Sequence, residues 1–219
     1  LNSPANPTGW TATREELAAI LDFARARGLF IIADEVYHRF YFEAPRAPSF
    51  HDVAGPEDRV IYVNTFSKNW AMTGWRIGWI STTPALGQTI ENLIQYSTSG
   101  VATFMQRAAV AALDDGDDFL AMQVDRVRRS REIVSSGLAA TGRARIHAPD
   151  GAFYLFFAVD GESDTRALAK RIVDEANVGL APGSAFGPAG EGYMRLCFAA
   201  RPEIVADATE RLAAWLRRG

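Results

Sequence analysis

The apolar positions of this chain change period several times along its length, and each change predicts an element. Thr13-Arg14-Glu15-Glu16 reads as a capping box, in which the Thr13 hydroxyl and the Glu16 carboxylate satisfy reciprocal orphan N–H groups. Leu17, Ile20, Leu21 and Ala24 follow at helical spacing, and Gly28 supplies the stop. Leu29–Ala33 is then a continuous apolar run between a helix and a polar segment, which predicts a buried parallel strand. Val60–Val63 repeats that signal, and Ile77–Ile80 gives a shorter third one. Helix and strand alternate here as in a doubly wound α/β sheet.

Beyond Pro84 the pattern turns helical, over Leu86–Tyr96, Ala102–Leu113 and a long charge-rich stretch from Phe119 to Ala140. Gly151–Val159 is strongly β-prone, and its aromatic run Phe153–Phe157 is expected in the core. Thr165–Ala176 reads as an amphipathic helix, Met194–Ala199 as a strand and Pro202–Leu216 as a closing helix. The charges of Glu210–Arg218 fit that helix's solvated face. A boundary is expected near residue 114, with the long helix leading from residues 1–113 into a smaller α+β domain over 114–219.

Composition narrows the function classes. With 219 residues, 48% hydrophobic and 22% charged, the chain has the make-up of a soluble globular protein of one large domain or two small ones. A formal net charge of −3 gives no electrostatic case for nucleic acid or an anionic membrane as partner. No apolar run approaches the ~20 residues of a membrane-spanning helix. Cys197 is the only cysteine, so no disulfide forms within the chain and a cytoplasmic location is expected. Leu1–Trp10 lacks the pattern of a secretory signal; Asn2 to Gly9 is dense in Pro, Asn and Gly and reads as a loop. With no initiating Met, either a processed complete protein or a piece of a longer one fits.

The densest chemistry lies in Asn64–Gly78. This run follows a predicted buried strand, so its polar groups sit at the strand's carboxyl end, where open α/β sheets bind ligands. Thr65, Ser67, Lys68 and Arg76 gather there, and hydroxyls with a guanidinium suit a phosphate dianion. Lys68 is either a further phosphate ligand or an imine-forming nucleophile; as a bare Ser-Lys pair it would read as a solvated surface lysine. Phe66, Trp70, Met72 and Trp75 around it argue instead for a packed site.

Ser67-Lys68, with Arg76 eight residues later inside Ala71-Met72-Thr73-Gly74-Trp75-Arg76-Ile77-Gly78, resembles the pyridoxal 5'-phosphate (PLP) attachment motif of class I/II, fold-type I aminotransferases. Asn6-Pro7-Thr8-Gly9, Ala33-Asp34-Glu35-Val36-Tyr37 and Met194-Arg195-Leu196-Cys197-Phe198-Ala199 resemble three further motifs of that family, in the same order. The resemblance implies an α/β, mostly parallel PLP-transferase-type large domain with flanking helices, followed by an α+β small domain. It implies Lys68 as the cofactor's covalent anchor and proton carrier, and Asp34 opposite the pyridine nitrogen. Tyr37 and Asn6 would hydrogen-bond the cofactor's phenolate oxygen, and Thr65, Ser67 and Arg76 would hold its phosphate. Arg195 would grip the substrate's α-carboxylate with a bidentate pair.

On residue type alone several of these positions have plainer readings. Asp34 would be a helix N-cap, Tyr37 a half-buried core tyrosine, Asn6 a turn residue, Ser67 a shaper of the turn before Lys68, and Arg195 a surface arginine. His38, His51 and His147 show no metal-ligand spacing. Gly183–Gly187 lacks the context of a dinucleotide fingerprint; in the family such a loop lies near the substrate entrance.

The expected activity is transfer of an amino group between an α-amino acid and a 2-oxo acid, by a homodimer of the aspartate/aromatic aminotransferase group. Another PLP reaction on the same scaffold, such as β-elimination, and a non-catalytic aminotransferase-like module stay open. The family's enzymes are roughly twice this length, beyond the usual single-domain range. The chain is therefore expected to be a piece of such an enzyme, inactive alone, without several sheet strands, a ring-stacking aromatic and part of the phosphate cup.

Overall fold

The capping box forms in the computed structural model, which describes residues 1–218. Thr13 Oγ1 accepts from Glu16 N at 3.2 Å, and Thr13 N donates to Glu16 Oε2 at 2.8 Å. Helix α1 (Arg14–Arg27) ends at Gly28 with φ 62°, a left-handed conformation that glycine adopts without a Cβ penalty. Two compact units divide the chain: one is Leu1–Pro4 with Thr11–Gln123, the other Ala5–Trp10 with Val124–Gly219. The division falls within α5 (Asp117–Ala139), whereas residue 114 lies at the end of α4 (Thr103–Asp115).

In the first unit β1 (Ile31–Asp34) and β2 (Val60–Thr65) are parallel, and β3 (Gly78–Ser81) lies antiparallel on the other side of β2. Leu17, Leu21 and Ala24 of α1 pack with Phe50, Ile31, Ala33, Val60 and Tyr62 in one cluster. The run Leu29–Ala33 is not buried throughout as its composition predicts. Leu29 and Phe30 precede the strand and are 47% and 52% exposed, and Ile32 is 58% exposed. Successive strand residues face opposite ways, and α1 covers only the face that carries Ile31 and Ala33. Helix α3 (Pro84–Ser97) has no buried residue among the described ones, and α4 buries only Ala109, against Phe66, Met72 and Ile77. Trp75, expected in that packing, is 40% exposed; it sits in the one-turn 3-10 segment Thr73–Trp75, which buries nothing.

The second unit holds an antiparallel sheet in the order β4-β5-β7-β6, formed by Ala144–Ile146, Tyr154–Val159, Tyr193–Cys197 and Ala181–Pro182 respectively. Phe156 pairs with Arg195, so 154, 156, 193 and 195 share one face of the pleat. The opposite face is the core side: Leu155, Phe157 and Met194 are fully buried. Helix α6 (Thr165–Ala176) packs against β7 and α7 (Pro202–Arg218), burying Leu168, Ile172, Leu212 and Leu216. The Asp164 side chain caps α6 by accepting from Arg166 N and Ala167 N. No described helix is long and apolar enough to cross a membrane.

Candidate active site

Parallel pairing brings Asp34, at the carboxyl end of β1, beside Val63 of β2. Two residues on, Thr65 ends β2, and its Oγ1 accepts from Ser67 N at 3.1 Å to start the four-residue helix α2 (Phe66–Asn69) that carries Lys68. The chain returns through the 3-10 segment to Arg76, whose φ of 52° is left-handed. Phe66 N then donates to Ile77 O at 3.2 Å, and Gly78 pairs with Thr65. A Cβ on Gly78 would lie 2.5 Å from Asn64 O, so only glycine permits this closure. Thr65, Ser67, Lys68 and Arg76 thus belong to one excursion, closed at its base by the β2–β3 register.

Within that excursion the side chains differ. Ser67 is buried and Lys68 half-buried. Thr65 Oγ1 also donates to Ile77 O at 3.4 Å, which helps hold the base shut. Arg76 is exposed, and its Nη1 donates to Thr73 O at 2.9 Å. Lys68 Nζ lies 5.7 Å from the Tyr37 ring centroid, and Tyr37 is buried. Asn64 Oδ1, Asn69 Oδ1 and Trp70 Nε1 are buried in the same segment without a hydrogen-bond partner.

No helix follows Asp34, so it is not a helix cap. The chain turns instead: Glu35 N donates to Val63 O at 3.1 Å and His38 N to Glu35 O at 3.0 Å. Glu35 was passed over in reading the sequence. It is 6% exposed, and its carboxylate accepts from Ser49 Oγ at 2.7 Å and from Phe50 N at 3.1 Å. Burial pushes its pKa up, against the pull of those two donors. Burial likewise lowers the pKa of His38. Glu35 fastens the turn bearing Tyr37 to a loop fourteen residues away, and no local motif announces such a partner.

The second unit holds the other two candidates. Arg195 Nη1 donates to Asn6 Oδ1 at 2.8 Å. Asn6 rides on the turn Ala5–Trp10, where Ala5 N donates to Trp10 O and Gly9 N to Ala5 O, both at 2.8 Å. Asp150 N and Gly151 N both donate to Gly9 O at 3.0 Å and dock that turn. Gly9 has φ 72°, and a Cβ there would lie 2.2 Å from Pro149 Cβ, so the contact requires glycine. Arg195 is half-buried, with Cζ 4.5 Å from the Tyr154 ring centroid and 4.7 Å from that of Phe186. Neither ring was singled out in the sequence. The alternation of strand β5, which sets Tyr154 on the same face as Phe156, was the available signal.

The donor set suits a phosphorylated pyridine aldehyde. An amine and a phenol lie close together, a carboxylate ends the neighbouring parallel strand, and two hydroxyls and a guanidinium lie on the same excursion as the amine. The residues present therefore fit PLP. Among the described residues, no group of three His, Cys, Asp or Glu is placed to hold a metal ion.

A family profile described as aminotransferase class I and II matches residues 1–212. The aspartate aminotransferase of Pyrococcus abyssi is 36% identical over 220 residues, a match covering 99% of this chain and 56% of that protein. Aromatic-amino-acid aminotransferase 2 of Thermococcus litoralis is 35% identical over 215 residues, covering 97% and 55%. Among solved structures, the aromatic aminotransferase from Pyrococcus horikoshii aligns with a TM-score of 0.92 at 35% identity, over 99% of this chain and 59% of that one. The aspartate aminotransferase from Thermotoga maritima aligns with a TM-score of 0.89, also at 35% identity, over 98% and 55%. The chain spans a little over half the length of the curated relatives it matches.

Proposed function

We propose that this chain, which belongs to the class I and II aminotransferase family, carries the cofactor anchor and the carboxylate grip of a PLP-dependent aminotransferase acting on an α-amino acid and a 2-oxo acid. The observation that carries this reading is Lys68 Nζ, 5.7 Å from the Tyr37 ring, at the carboxyl ends of two parallel strands. Bound PLP supplies an electron-accepting ring that lets the Cα–H bond of an amino acid ionise.

The chain's own residues do the rest. Lys68 Nζ would anchor PLP and, with its amine free, would take the proton from the substrate Cα as general base. The Asp34 carboxylate holds a proton on the pyridine nitrogen. Tyr37 and Asn6 donate to the phenolate oxygen; Asn6 Oδ1 is committed to Arg195, and the amide's other polar group, Nδ2, is a donor. Ser67 and Arg76 would hold the phosphate, joined by Thr65 where its hydroxyl proton turns from Ile77 O to a phosphate oxygen. Arg195 binds the α-carboxylate through two N–H groups and so fixes the Cα–H bond for removal. We assign most of residues 1–113 to the large cofactor domain and most of 114–219 to the small one, with the turn Ala5–Trp10 grouped with the latter. The protein works as a cytoplasmic homodimer in amino-acid metabolism, a reading supported by its family.

The chain has only two lysines, Lys68 and Lys170, which makes the test clean. Borohydride reduction in the presence of PLP, followed by peptide mapping, is expected to place the label on Lys68. Label on Lys170 alone, or none in the complete protein, overturns the reading. Amino-acid donors are then expected to yield their 2-oxo acids without free ammonia; release of pyruvate and ammonia assigns the protein to elimination instead.

A further inference from the structure

The guanidinium of Arg195 lies over the faces of two aromatic rings, Tyr154 and Phe186, both within the range of a cation–π contact. The two rings reach it by different routes. Tyr154 arrives through the sheet, because the β5–β7 register sets 154 and 156 on the same face as 195. Phe186 arrives on a loop, and that loop is built to hold it.

At the loop's base Gly183 and Gly190 meet backbone to backbone. A Cβ on Gly183 would lie 2.0 Å from Gly190 O, and one on Gly190 would lie 2.1 Å from Gly183 O. Thr165, fully buried at the start of α6, ties both flanks: its Oγ1 donates to Glu191 Oε1 at 2.6 Å and lies 3.3 Å from Ser184 Oγ. The Phe186 ring meets Phe156 edge-on at 6.3 Å, and Phe156 stacks on Tyr193 at 4.9 Å. Phe186 is itself 36% exposed, so this bracing does not serve core burial.

Two ring faces, 4.5 and 4.7 Å from Cζ, restrict how far the guanidinium can turn without losing its N–H contacts. Nη1 uses one of these on Asn6, and the remaining edge N–H groups set the plane in which a carboxylate can be met bidentately. We infer that Tyr154 and Phe186 are positioning residues that fix the plane of Arg195 for the α-carboxylate of the substrate. This rests on the proposed role of Arg195.

The test compares Phe186→Leu, Phe186→Tyr, Tyr154→Leu and Arg195→Ala in the holoenzyme, with pyruvate, oxaloacetate, 2-oxoglutarate and phenylpyruvate as acceptors. The α-carboxylate is common to all four. Phe186→Leu is therefore expected to raise KM by a similar factor, roughly tenfold, for every acceptor used, with a smaller change in kcat and an unchanged thermal midpoint. Phe186→Tyr, which keeps the ring, is expected to restore KM. Tyr154 is buried, so its substitution can also cost stability; the Phe186 pair keeps the test decisive if it does. An unchanged KM in Phe186→Leu beside a weakened Arg195→Ala overturns the clamp and leaves the carboxylate role standing. A loss confined to one acceptor also overturns it, by assigning Phe186 to the side chain. If Arg195→Ala leaves every KM unchanged, the carboxylate role falls and the clamp falls with it.

Discussion

Arg195 and Asn6, 189 residues apart in sequence, are joined by a 2.8 Å hydrogen bond inside one compact unit. The turn Ala5–Trp10 belongs with Val124–Gly219 because Gly9 accepts from Asp150 N and Gly151 N and packs against Pro149. Asn6→Ala removes the acceptor for one guanidinium N–H. A hydrogen bond to a charged group contributes about 1.5–3 kcal/mol, so kcat/KM is expected to fall by roughly ten- to a hundredfold. In a double-mutant cycle with Arg195→Ala the two losses are expected to be strongly non-additive. Additive losses would mean that the bond does not serve the reaction.

Gly78 tests the excursion that carries Lys68. Its absent Cβ leaves room for Asn64 O at 2.5 Å and Thr65 Cα at 3.4 Å, and both of those are backbone atoms. Gly78→Ala must push β2 and β3 apart where Thr65 pairs with residue 78. Overpacking of this kind costs about 1–3 kcal/mol. Denaturant unfolding of the chain should show the loss, and borohydride labelling of Lys68 should fall with it. Gly74→Ala is the control, since a Cβ there meets nothing within 4 Å.

The elements that were legible in the sequence are those whose signals are local. The Thr13–Glu16 box, Gly28 and the periodicity of Thr165–Ala176 each act within a turn or two, and α1 and α6 form where they point. β4 and β6 were missed because three and two residues are too few to show alternation. The apolar run Leu29–Ala33 misled because hydrophobicity does not say which face has a covering helix. Around the candidate site, four motifs pointed to Lys68, Asp34, Tyr37, Arg76, Asn6 and Arg195, with Thr65 and Ser67 beside Lys68. The contacts of Glu35 and Phe186, to Ser49, Phe50 and Arg195, were hidden because they are set by packing between distant segments.

Apolar side chains on α3 and α4 face water in this chain: Leu93 is 58% exposed, Tyr96 93%, Phe104 67% and Val110 55%. Exposed apolar surface on this scale favours association. The 219-residue chain is expected to enhance the fluorescence of an apolar dye such as anilinonaphthalene sulfonate, and to sediment heavier as its concentration rises. Replacing Leu93 and Phe104 by Glu should weaken both effects without lowering the thermal midpoint, because neither side chain is buried. A dye-silent, monomeric wild-type chain would contradict this expectation.

Two carboxyls that both accept from Ser49 give the chain opposing responses to pH. Asp52 accepts from Arg46 Nη2 at 2.7 Å and Arg46 Nη1 at 2.9 Å, and from Ser49 N at 2.9 Å. The Arg46 guanidinium, helped by Ser49 N, lowers the Asp52 pKa from 3.8 to about 2. A depressed carboxyl pKa stabilises the fold above the unfolded value, and that contribution is lost as pH falls through the folded one. Arg46 is half exposed, so the pair contributes no more than about 1 kcal/mol. Asp52→Asn should therefore cost stability at pH 5 and almost nothing at pH 2, read by urea denaturation at each pH. Glu35 runs the other way. Its pKa is raised by burial, so its contribution is present below the ordinary Glu range and is lost as pH climbs through the raised value. Relative to wild type, Glu35→Gln should thus be more destabilising at pH 4 than at pH 7. A penalty that grew with pH would mean that the Ser49 and Phe50 donors outweigh burial and hold Glu35 ionised.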